Sequence, residues 1–517
     1  MTSTTDTNET GSPLSSLVQE AKSLAAAPHD AYHDDGETHV AVNSERNRPL
    51  YASRIKVYPK LVKGFFRRIK WAVMLVTLGI YYITPWIRWD RGLNAPDQAV
   101  LIDFPHRKFY FFFIEIWPQE VYYITGLLIL ASFVLFLVTS IAGRVWCGYA
   151  CPQTVWTDLF VYVETWIEGD RNARIKLDKA PLSFSKIGKK ISKHSAWLLI
   201  AFATGGAWVF YFDDAPTLAN NLLNLSADPS AYMFIGLFAA STYLLGGLAR
   251  EQVCTYMCPW PRIQGAMFDD DSLLVSYKDD RGEGRGKHKK GASWEGRGDC
   301  IDCGACVSVC PMGIDIRDGM QLECIQCALC IDACNDVMKK VDRPLNLIGY
   351  DTPANKERRL KGVPEIAVNL LRPRTVIYTF LLVAVSAFML ATLVTRPTID
   401  LNVLRDRNPL FVQLSDGSLR NGYTIKVINK EHVPQVFRVS LEGITGATLS
   451  RQFVDEENVA DIIVPPDSLK SVKFYITLPY AKRGQLDNGE ADLDIIVRNL
   501  TTRETATNAT VFRGPER

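Results

Sequence analysis

Five apolar segments stand out along the chain, at 69–87, 121–143, 195–213, 231–249 and 375–395. Each is close to the roughly twenty residues that a helix needs to cross the hydrocarbon core of a bilayer. The second, VYYITGLLILASFVLFLVTSIAG, contains no charged residue, and the third and fourth carry Gly and Thr, which suit close helix packing. The pattern predicts a polytopic α-helical membrane protein with about five spans.

Two segments before the second span have a different character. Residues 1–48 lack a basic region and a long apolar run, which predicts a disordered N-terminal tail and not a secretory signal. That tail contains His29, His33 and His39 among acidic residues. The three histidines predict either a loose metal site or simply a solvated polar segment. FYFFFIEIW is too short for a span and contains Glu115, so it predicts an interfacial or re-entrant stretch.

The last 120 residues change to a β pattern. YTIKVINK, QVFRVSLEG, SVKFYITLP and ADLDIIVRNL alternate or are rich in β-branched residues, and NGY, PPDS and DNGE mark turns between them. Several short strands at this spacing predict a C-terminal all-β immunoglobulin-like sandwich over 399–517, without an intersheet disulfide because the segment has no Cys. No catalytic constellation is visible in it.

The distribution of Lys and Arg predicts the orientation. Residues 43–70 contain nine of them, 144–194 contain nine more, and 214–230 contain none. Because cytoplasmic loops carry the excess of positive charge, the N-terminus and the loops at 144–194 and 250–374 are expected in the cytoplasm. An odd number of spans then places the C-terminal β domain in the periplasm of a Gram-negative cell, with the chain multi-pass in the inner membrane.

Net charge and cysteine usage narrow the function further. The 517 residues include 58 Lys and Arg against 56 Asp and Glu, so no overall field favours a nucleic-acid partner. All twelve cysteines fall between Cys147 and Cys334, and each lies three or four residues from another. This spacing is typical of metal ligation in a reducing compartment and not of extracellular disulfides.

Eight of these cysteines form two interlocking C-x-x-C-x-x-C-x-x-x-C runs, which predict two [4Fe–4S] clusters. In two-cluster ferredoxins the fourth Cys of each run ligates the other cluster. The first predicted ligand set is Cys300, Cys303, Cys306 and Cys334, and the second is Cys310, Cys324, Cys327 and Cys330. A pair of zinc sites is the alternative, although zinc does not call for interlocked runs.

Small residues leave room for the backbone to approach the inorganic sulfides at Gly304, Ala305 and Ala328. The second run departs from the usual pattern because Asn335 replaces the Pro after its last Cys. We expect a minor effect, since that Pro shapes a turn and ligates nothing.

A second motif, C-x-x-x-C-P, occurs after the second apolar segment and again after the fourth. It comprises Cys147, Cys151 and Pro152, then Cys254, Cys258 and Pro259. Residues i and i+4 share one helix face, and Pro disfavours helical geometry in the residue before it, so each helix is expected to end at the second Cys, at the membrane surface. The alternative is that these cysteines are small buried hydrophobes.

Four such thiols would suit a soft metal centre. Thiolates select Cu(I) or an iron–sulfur centre over hard cations. Arg144 and Arg250 lie just upstream and are expected to lower the thiol pKa values. Tyr149, Tyr256 and Met257 are candidates for an electron relay or a soft ligand, with simple packing as the alternative. The parts together predict that electrons pass from a cytoplasmic donor through the clusters to an acceptor at this site.

The motifs and their order resemble the cytochrome c oxidase accessory protein family called CcoG, FixG or RdxA. The residues that carry the resemblance are GDCIDCGACVSVCPMGIDIRDGMQLECIQCALCIDACNDVM, WCGYACPQTVW, VCTYMCPWPRIQGAMFDDDSLLVSY, the five spans and the terminal β domain. The resemblance implies a membrane-bound polyferredoxin that reduces Cu(II) to Cu(I) for assembly of a cbb-type oxidase, with oxidase subunits or copper chaperones as partners. It implies that the eight ferredoxin cysteines ligate clusters, and it matches Cys147, Cys151, Cys254 and Cys258 to the C-x-x-x-C-P cysteines of the family, which are candidate copper ligands and the candidate catalytic residues.

Two other functions stay open. The chain could be a quinol-linked electron conduit similar to the membrane ferredoxins of periplasmic nitrate reduction, although those lack the β domain, or a non-enzymatic oxidase assembly scaffold. The predicted domains are the tail, membrane helices with both C-x-x-x-C-P motifs, a cytoplasmic two-cluster ferredoxin-like domain, a fifth membrane helix and the periplasmic β domain, at 1–48, 49–260, 261–370, 371–398 and 399–517.

Overall fold

A computed structural model describes residues 55–92, 95–288, 291, 293–451 and 459–515. The predicted tail with its three histidines lies outside these residues. The described helices are α1 (Phe65–Ile83), α2 (Tyr122–Ala142), α3 (Val145–Tyr149), α4 (Pro152–Glu168), α5 (Arg171–Lys179), α6 (Phe184–Val209), α7 (Ala215–Leu223), α8 (Pro229–Thr242), α9 (Trp260–Met267), α10 (Asp279–Gly282), α11 (Ala305–Val309), α12 (Leu329–Lys340), α13 (Pro353–Leu360) and α14 (Pro373–Val394).

The described strands pair in four antiparallel sheets. They are β1 (Val100–Asp103), β2 (Lys108–Phe111), β3 (Ile114–Ile116), β4 (Leu274–Tyr277), β5 (Ile348–Asp351), β6 (Ile399–Arg405), β7 (Val412–Gln413), β8 (Leu419–Asn429), β9 (Gln435–Glu442), β10 (Thr448–Arg451), β11 (Asp461–Val464), β12 (Ser468–Leu478), β13 (Glu490–Asn499) and β14 (Thr505–Arg513). The chain divides into two compact units, the first running to Pro85 and from Val121 to Val385, the second comprising Trp86–Glu120 and Ser386–Arg517.

Three helical segments among the described residues are long and apolar enough to cross a membrane: Pro118–Ala142, Pro229–Ala249 and Pro373–Val394. They coincide with the second, fourth and fifth predicted spans. Helices α1 and α6 form at the first and third predicted spans, but α1 carries charges in its first turns and α6 begins with the basic sequence KIGKK. Spans there, and the predicted orientation of the chain, stay predictions.

The helices of the first unit pack closely through small residues, as the Gly and Thr content predicted. A Cβ added at Gly205 in α6 would lie 2.6 Å from the carbonyl oxygen of Ile235 in α8. Such proximity leaves no room for a side chain at this crossing.

A group of buried charges joins α4, α5 and α6 in the same unit. Glu164 is fully buried and forms ion pairs with Arg174 at 3.2 Å, Lys193 at 3.4 Å and Arg250 at 2.8 Å. Burial alone would raise the pKa of Glu164, but these cations lower it to about 2, so the carboxyl is ionised. The group fixes Arg250, four residues before Cys254.

The second unit contains the predicted immunoglobulin-like sandwich. One sheet has the order β10-β12-β8-β6, with β7 also paired to β8, and the other has the order β11-β9-β13-β14. Alternate residues of β8 point inward, which is the period of two that the sequence showed. The core between the sheets includes the fully buried rings of Tyr423, Phe437, Phe474 and Phe512.

Residues 86–120 belong to this second unit and not to the predicted membrane region 49–260. FYFFFIEIW, predicted as an interfacial or re-entrant stretch, forms most of the β2–β3 hairpin of a three-stranded sheet. Arg91 supports the sheet by donating to the carbonyls of Gln98, Ala99 and Phe112 at 2.8–2.9 Å. An aromatic run of this kind resembles a membrane segment in composition, but its residues alternate between buried and partly exposed positions in β2.

Candidate iron–sulfur and thiol site

The eight cysteines of the two runs line two separate cavities. Cys300, Cys303, Cys306 and Cys334 line one of about 350 Å³, which is the first predicted ligand set. Cys310, Cys324, Cys327 and Cys330, the second predicted set, line one of about 390 Å³, with Cys306 also on its wall. Four converging sulfurs around each cavity fit the donor set of a [4Fe–4S] cluster. The ligand assignment itself stays a prediction.

The backbone around the two cavities repeats the same conformation. Gly304 and Ala328, each one residue after the second Cys of its run, have φ of 61° and 60° and directly precede α11 and α12. Asp302 and Gln326, each one residue before that Cys, both have φ of 54°. Three of these four are not glycine, so the left-handed backbone is held by its surroundings. The small residues predicted at this turn therefore sit where the chain turns from loop into helix.

Asn335 explains how the second run differs from the first. Helix α11 ends at Val309 before Cys310 and Pro311, whereas α12 continues through Cys334 and Asn335 to Lys340. The Asn335 side chain donates to Asn346 Oδ1 at 3.1 Å and accepts from the Asn346 backbone N–H at 2.7 Å. Its contact fixes the loop that leads into β5. Asn335 therefore does more than replace the Pro that usually forms a turn, because its side chain holds this loop.

Burial makes these thiols difficult to ionise without a metal. It raises the pKa of Cys310 and Cys334 to about 12 and that of Cys324 to about 11. A cation must therefore replace the proton before the sulfurs become thiolate ligands. Iron bound in the cavities would supply that charge.

The first C-x-x-x-C-P motif does not lie on one continuous helix. Helix α3 ends at Tyr149, and Cys151 is extended, with φ of −60° and ψ of 128°, before Pro152 begins α4. The expected helix end at Cys151 is therefore two residues too late, because the restriction that Pro imposes on the preceding residue makes Cys151 extended.

The second motif lies on a π-helical turn, Val253–Met257. Arg250 interrupts the helix before it with φ of 46°, and Cys258 is extended, with φ of −82° and ψ of 122°. The expected α-helical i, i+4 pair is therefore absent in both motifs. Each pair instead spans the break between one helix and the next.

The thiols of the two motifs lie near enough to influence one another's charge. Burial first, and then the nearby thiols Cys151, Cys147 and Cys258, raise the pKa of Cys254 to about 12. The pKa of Cys147 is also raised to about 12, mainly by burial and then by Cys151, and Arg144 opposes this shift. Arg144 therefore lowers the pKa of Cys147 as expected, but burial outweighs it and the pKa of the thiol rises.

The two arginines act on other groups. Arg250 donates to Glu164 Oε2 at 2.8 Å. Arg144 is buried and donates to the carbonyl of Cys324 at 3.2 Å and to those of Leu322 and Pro261. It therefore ties the first motif to the loop of the second cluster set and to the segment after the second motif.

The first motif packs directly on the second cluster set. A Cβ added at Gly148 would lie 2.8 Å from the Ile325 carbonyl oxygen and 3.0 Å from Cys327 N and Cα. The Tyr149 hydroxyl donates to the Cys327 carbonyl at 3.1 Å, and the Arg144 N–H donates to Gln326 Oε1 at 2.9 Å. Backbone therefore meets backbone between the thiol site and the cavity of Cys310, Cys324, Cys327 and Cys330.

Two residues that hold the first motif in place, Gly148 and Gln264, were not predicted from the sequence. Gly148 was visible as the small residue inside the motif, but its partner lies about 180 positions away. Gln264 gave no signal: it is fully buried, accepts from the Cys147 thiol at 3.2 Å and donates to Thr139 at 3.1 Å. Tyr256 and Met257 are 60% and 63% exposed, unlike Tyr149, which is buried at the contact.

A third cavity, of about 550 Å³, lies beside Cys254. Its lining includes Arg67, Lys70 and Asp158 on one side and Met312 on the other. Asp158 is ion-paired with Arg67 at 2.8 Å and with Lys70 at 3.6 Å. The cavity places polar groups next to a thiol of the second motif.

Three family models match the chain. They are a 4Fe-4S binding domain at residues 124–172, a 4Fe-4S dicluster domain at 249–353, and the Ig-like fold at the C-terminal end of FixG at 389–515. The first covers the first C-x-x-x-C-P motif, and the second covers the second C-x-x-x-C-P motif and the two cysteine runs that follow it. They support iron–sulfur clusters and electron transfer for this chain.

Similar proteins cover almost the whole length. The chain is 52% identical over 500 residues to the nitrogen fixation protein FixG of Rhizobium meliloti (strain 1021), covering 91% of this chain and 94% of the relative. It is 50% identical to the proteins RdxB and RdxA of Cereibacter sphaeroides, covering 90% and 84% of this chain and 97% and 91% of those proteins. A solved FixG-related protein from Vibrio parahaemolyticus aligns at 21% identity and a TM-score of 0.20, over 23% of this chain and 96% of that one. By its identity to full-length relatives, the chain belongs to the FixG and RdxA family.

Proposed function

We propose that this protein reduces Cu(II) to Cu(I) at the four C-x-x-x-C-P thiols, with electrons supplied through the two cluster cavities, for assembly of a cbb-type cytochrome oxidase. The observation that carries the proposal is the backbone contact between Gly148 and Cys327. It places the first motif against the wall of a cavity lined by four sulfurs. Two electron-transfer centres this close need no large motion between them.

Iron–sulfur clusters bound in the cavities would supply one-electron chemistry. Cys147, Cys151, Cys254 and Cys258 would bind the copper, and soft sulfur ligands favour Cu(I) over Cu(II). Each Cu(II) ion takes one electron, so two reduced clusters convert two Cu(II) to two Cu(I). The thiol protons leave to the surroundings as copper takes their place.

Gln264 and Arg144 position the copper site. Gln264 accepts from the Cys147 thiol and is fixed by Thr139. Arg144 donates to the carbonyl of Cys324 and so fixes the position of the two motifs relative to the loop of the second cluster set. Neither side chain needs to contact copper.

The partners in this proposal are a cytoplasmic electron donor and oxidase subunits or copper chaperones. Its location is the inner bacterial membrane, with the cluster unit in the cytoplasm and the β domain in the periplasm. The Lys and Arg bias of the loops supports this orientation.

One anaerobic experiment tests the proposal. The purified protein is checked for about eight irons per chain, reduced, and mixed with Cu(II) and a Cu(I)-specific chromophore. We expect about one Cu(I) per electron, formed at the rate at which the reduced clusters are reoxidised. Clusters that stay reduced in the presence of Cu(II) would contradict the proposal and would favour the assembly scaffold if a quinone also fails to oxidise them.

The cavity of about 550 Å³ beside Cys254 favours a second candidate, the quinol-linked conduit. Its lining includes Arg67, Lys70 and Asp158, polar groups of the kind that would hold the ring oxygens of a quinone. Reoxidation by a water-soluble quinone, with no reaction toward Cu(II), is the outcome that would select it.

A further inference from the structure

A group of side chains in the second unit has the composition of a metal site. One ring nitrogen of His432, one oxygen of Glu115 and one oxygen of Asp467 lie within 4.8 Å of one another. His432 Nδ1 is 2.7 Å from Asp467 Oδ2, and His432 Nε2 is 3.3 Å from Glu115 Oε1. The imidazole therefore lies between two carboxylates.

The carboxylates are held away from water and keep acceptor capacity. Glu115 is only 5% exposed, and its Oε1 has no hydrogen bond within the described residues, its contact being the ion pair with His432. Asp467 Oδ1 is also buried without a hydrogen bond there, with the Lys108 ammonium 3.6 Å away. Buried oxygens with unused lone pairs are costly unless a cation or donor satisfies them.

The scaffold around the group is rigid. Glu115 lies on β3, His432 in the loop after β8, and Asp467 directly before β12. The buried amide of Asn429 donates to the carbonyls of Val433 and Pro465 at 2.9 and 3.0 Å, which joins the two loops. Asp467 itself has φ of 47°, and its N–H donates to the Glu431 carbonyl at 3.1 Å.

We propose that His432 Nε2 and Glu115 ligate a borderline divalent cation such as Cu(II), while Asp467 accepts the hydrogen bond of the other ring nitrogen. Ligand atoms around such an ion lie about 2.0–2.2 Å from it, so two ligand atoms are at most about 4.4 Å apart, and the 3.3 Å between His432 Nε2 and Glu115 Oε1 lies within that limit. Imidazole with carboxylate oxygens, and no sulfur, suits an oxidised divalent ion, and Cu(II) binds most strongly in the first-row series.

The carboxylate at the other ring nitrogen of His432 also has a function when the metal is bound. An ion that takes one ring nitrogen leaves the other to donate its N–H to a carboxylate, as metal-bound imidazoles commonly do. Because a carboxylate already lies at each ring nitrogen, the ring needs no reorientation on binding. The metal replaces the contact on one side and keeps the hydrogen bond on the other.

The site does not depend on copper reduction by the clusters, so its test uses no electron transfer. The protein is the full-length chain without a polyhistidine tag, with oxidised clusters, with Cys147, Cys151, Cys254 and Cys258 replaced by Ser, and with His29, His33 and His39 replaced by Gln so that the tail offers no imidazole. One equivalent of Cu(II) is added, and pulsed EPR detects the remote nitrogen of a bound imidazole. We expect one Cu(II) per chain with that nitrogen signal.

The matched control is His106→Gln. His106 also pairs with a carboxylate, Asp103, at 2.7 Å, but its environment is open and lacks a second carboxylate. We expect His432→Gln to remove the imidazole signal and His106→Gln to keep it. Glu115→Gln preserves the shape and the imidazole, and we expect at least tenfold weaker Cu(II) binding, so the inference stays testable even if His432→Gln fails to fold. An imidazole signal that survives His432→Gln, or equal affinity in Glu115→Gln, would overturn the inference.

Discussion

At the scale of single residues, the account depends on a few positions where two backbones meet. Gly148 is the clearest, because the nearest atoms to its missing Cβ are backbone atoms that cannot rotate away. Its partner Cys327 also accepts the Tyr149 hydrogen bond. A side chain at this glycine must push the first motif away from the second cavity.

Gly148→Ala is therefore expected to destabilise the cluster region by about 1–3 kcal/mol, the usual cost of overpacking. The measurement is the urea concentration at which half of the cluster absorbance is lost. Gly188→Ala is the control, because nothing lies within 4 Å of its Cβ position on α6. Equal midpoints for the two variants would show that the contact does not support the clusters.

At this scale the sequence carries its information in local spacing. The two cysteine sets follow from their interlocked spacing, and each set lines its own cavity. The contact of Gly148 with Cys327 and the hydrogen bond of Gln264 with Cys147 join residues more than 100 positions apart. No local pattern encodes such pairs, so the sequence could not show them.

At the scale of elements, α12 shows why the Pro that usually follows the last Cys of a run does not fit at position 335. Asn335 lies within the helix, and a Pro there would remove a helical hydrogen bond and clash with the preceding turn. The same residue fixes the loop before β5 through Asn346.

We expect Asn335→Pro, which restores the common motif, to cost about 3 kcal/mol and to deplete the cluster bound by Cys334. Iron would fall from about eight toward four per chain, measured together with cluster absorbance. Asn335→Ala, which loses only the side-chain hydrogen bonds, is the milder control, at about 1 kcal/mol. Full iron content in Asn335→Pro would show that α12 tolerates the turn.

The buried ion pairs that join α4, α5 and α6 give a second prediction for the elements. Glu164→Gln leaves Arg174, Lys193 and Arg250 without their carboxylate, and breaking a buried pair costs about 3–5 kcal/mol. The expected result is a lower thermal unfolding midpoint. Glu357→Gln removes an exposed pair with Lys361 and should leave the midpoint unchanged. A midpoint for Glu164→Gln equal to that of the control would mean that the pairs add no stability.

Element prediction succeeded where periodicity was regular. The alternation in β8 and β12 predicted the sandwich, and the cores of both strands are buried as expected. It gave the helix end at Cys258 to within one residue, but it failed at Cys151 and in the helix type of the second motif, because a helix break and a π-helical turn depend on packing against neighbouring segments. It also misplaced 109–117, whose aromatic composition resembles a membrane segment although the segment forms strands.

At the scale of the whole molecule, three apolar helical segments, two sulfur-lined cavities and a β sandwich fit a membrane-bound electron-transfer protein. The proposed orientation is testable with alkaline phosphatase fusions. A fusion after residue 510 should be active and one near residue 340 inactive. The reverse pattern would place the cluster unit outside the cytoplasm.

The most direct measurement of the central claim is the rate at which Cu(II) reoxidises the reduced clusters in Cys147→Ser/Cys254→Ser, compared with the unmodified chain and with Met257→Leu, whose exposed side chain is not required. We expect all three proteins to keep about eight irons, Met257→Leu to react like the unmodified chain, and the double variant to react at least tenfold more slowly and bind less copper. Equal rates in the double variant and the unmodified chain would contradict the claim that these thiols pass cluster electrons to copper.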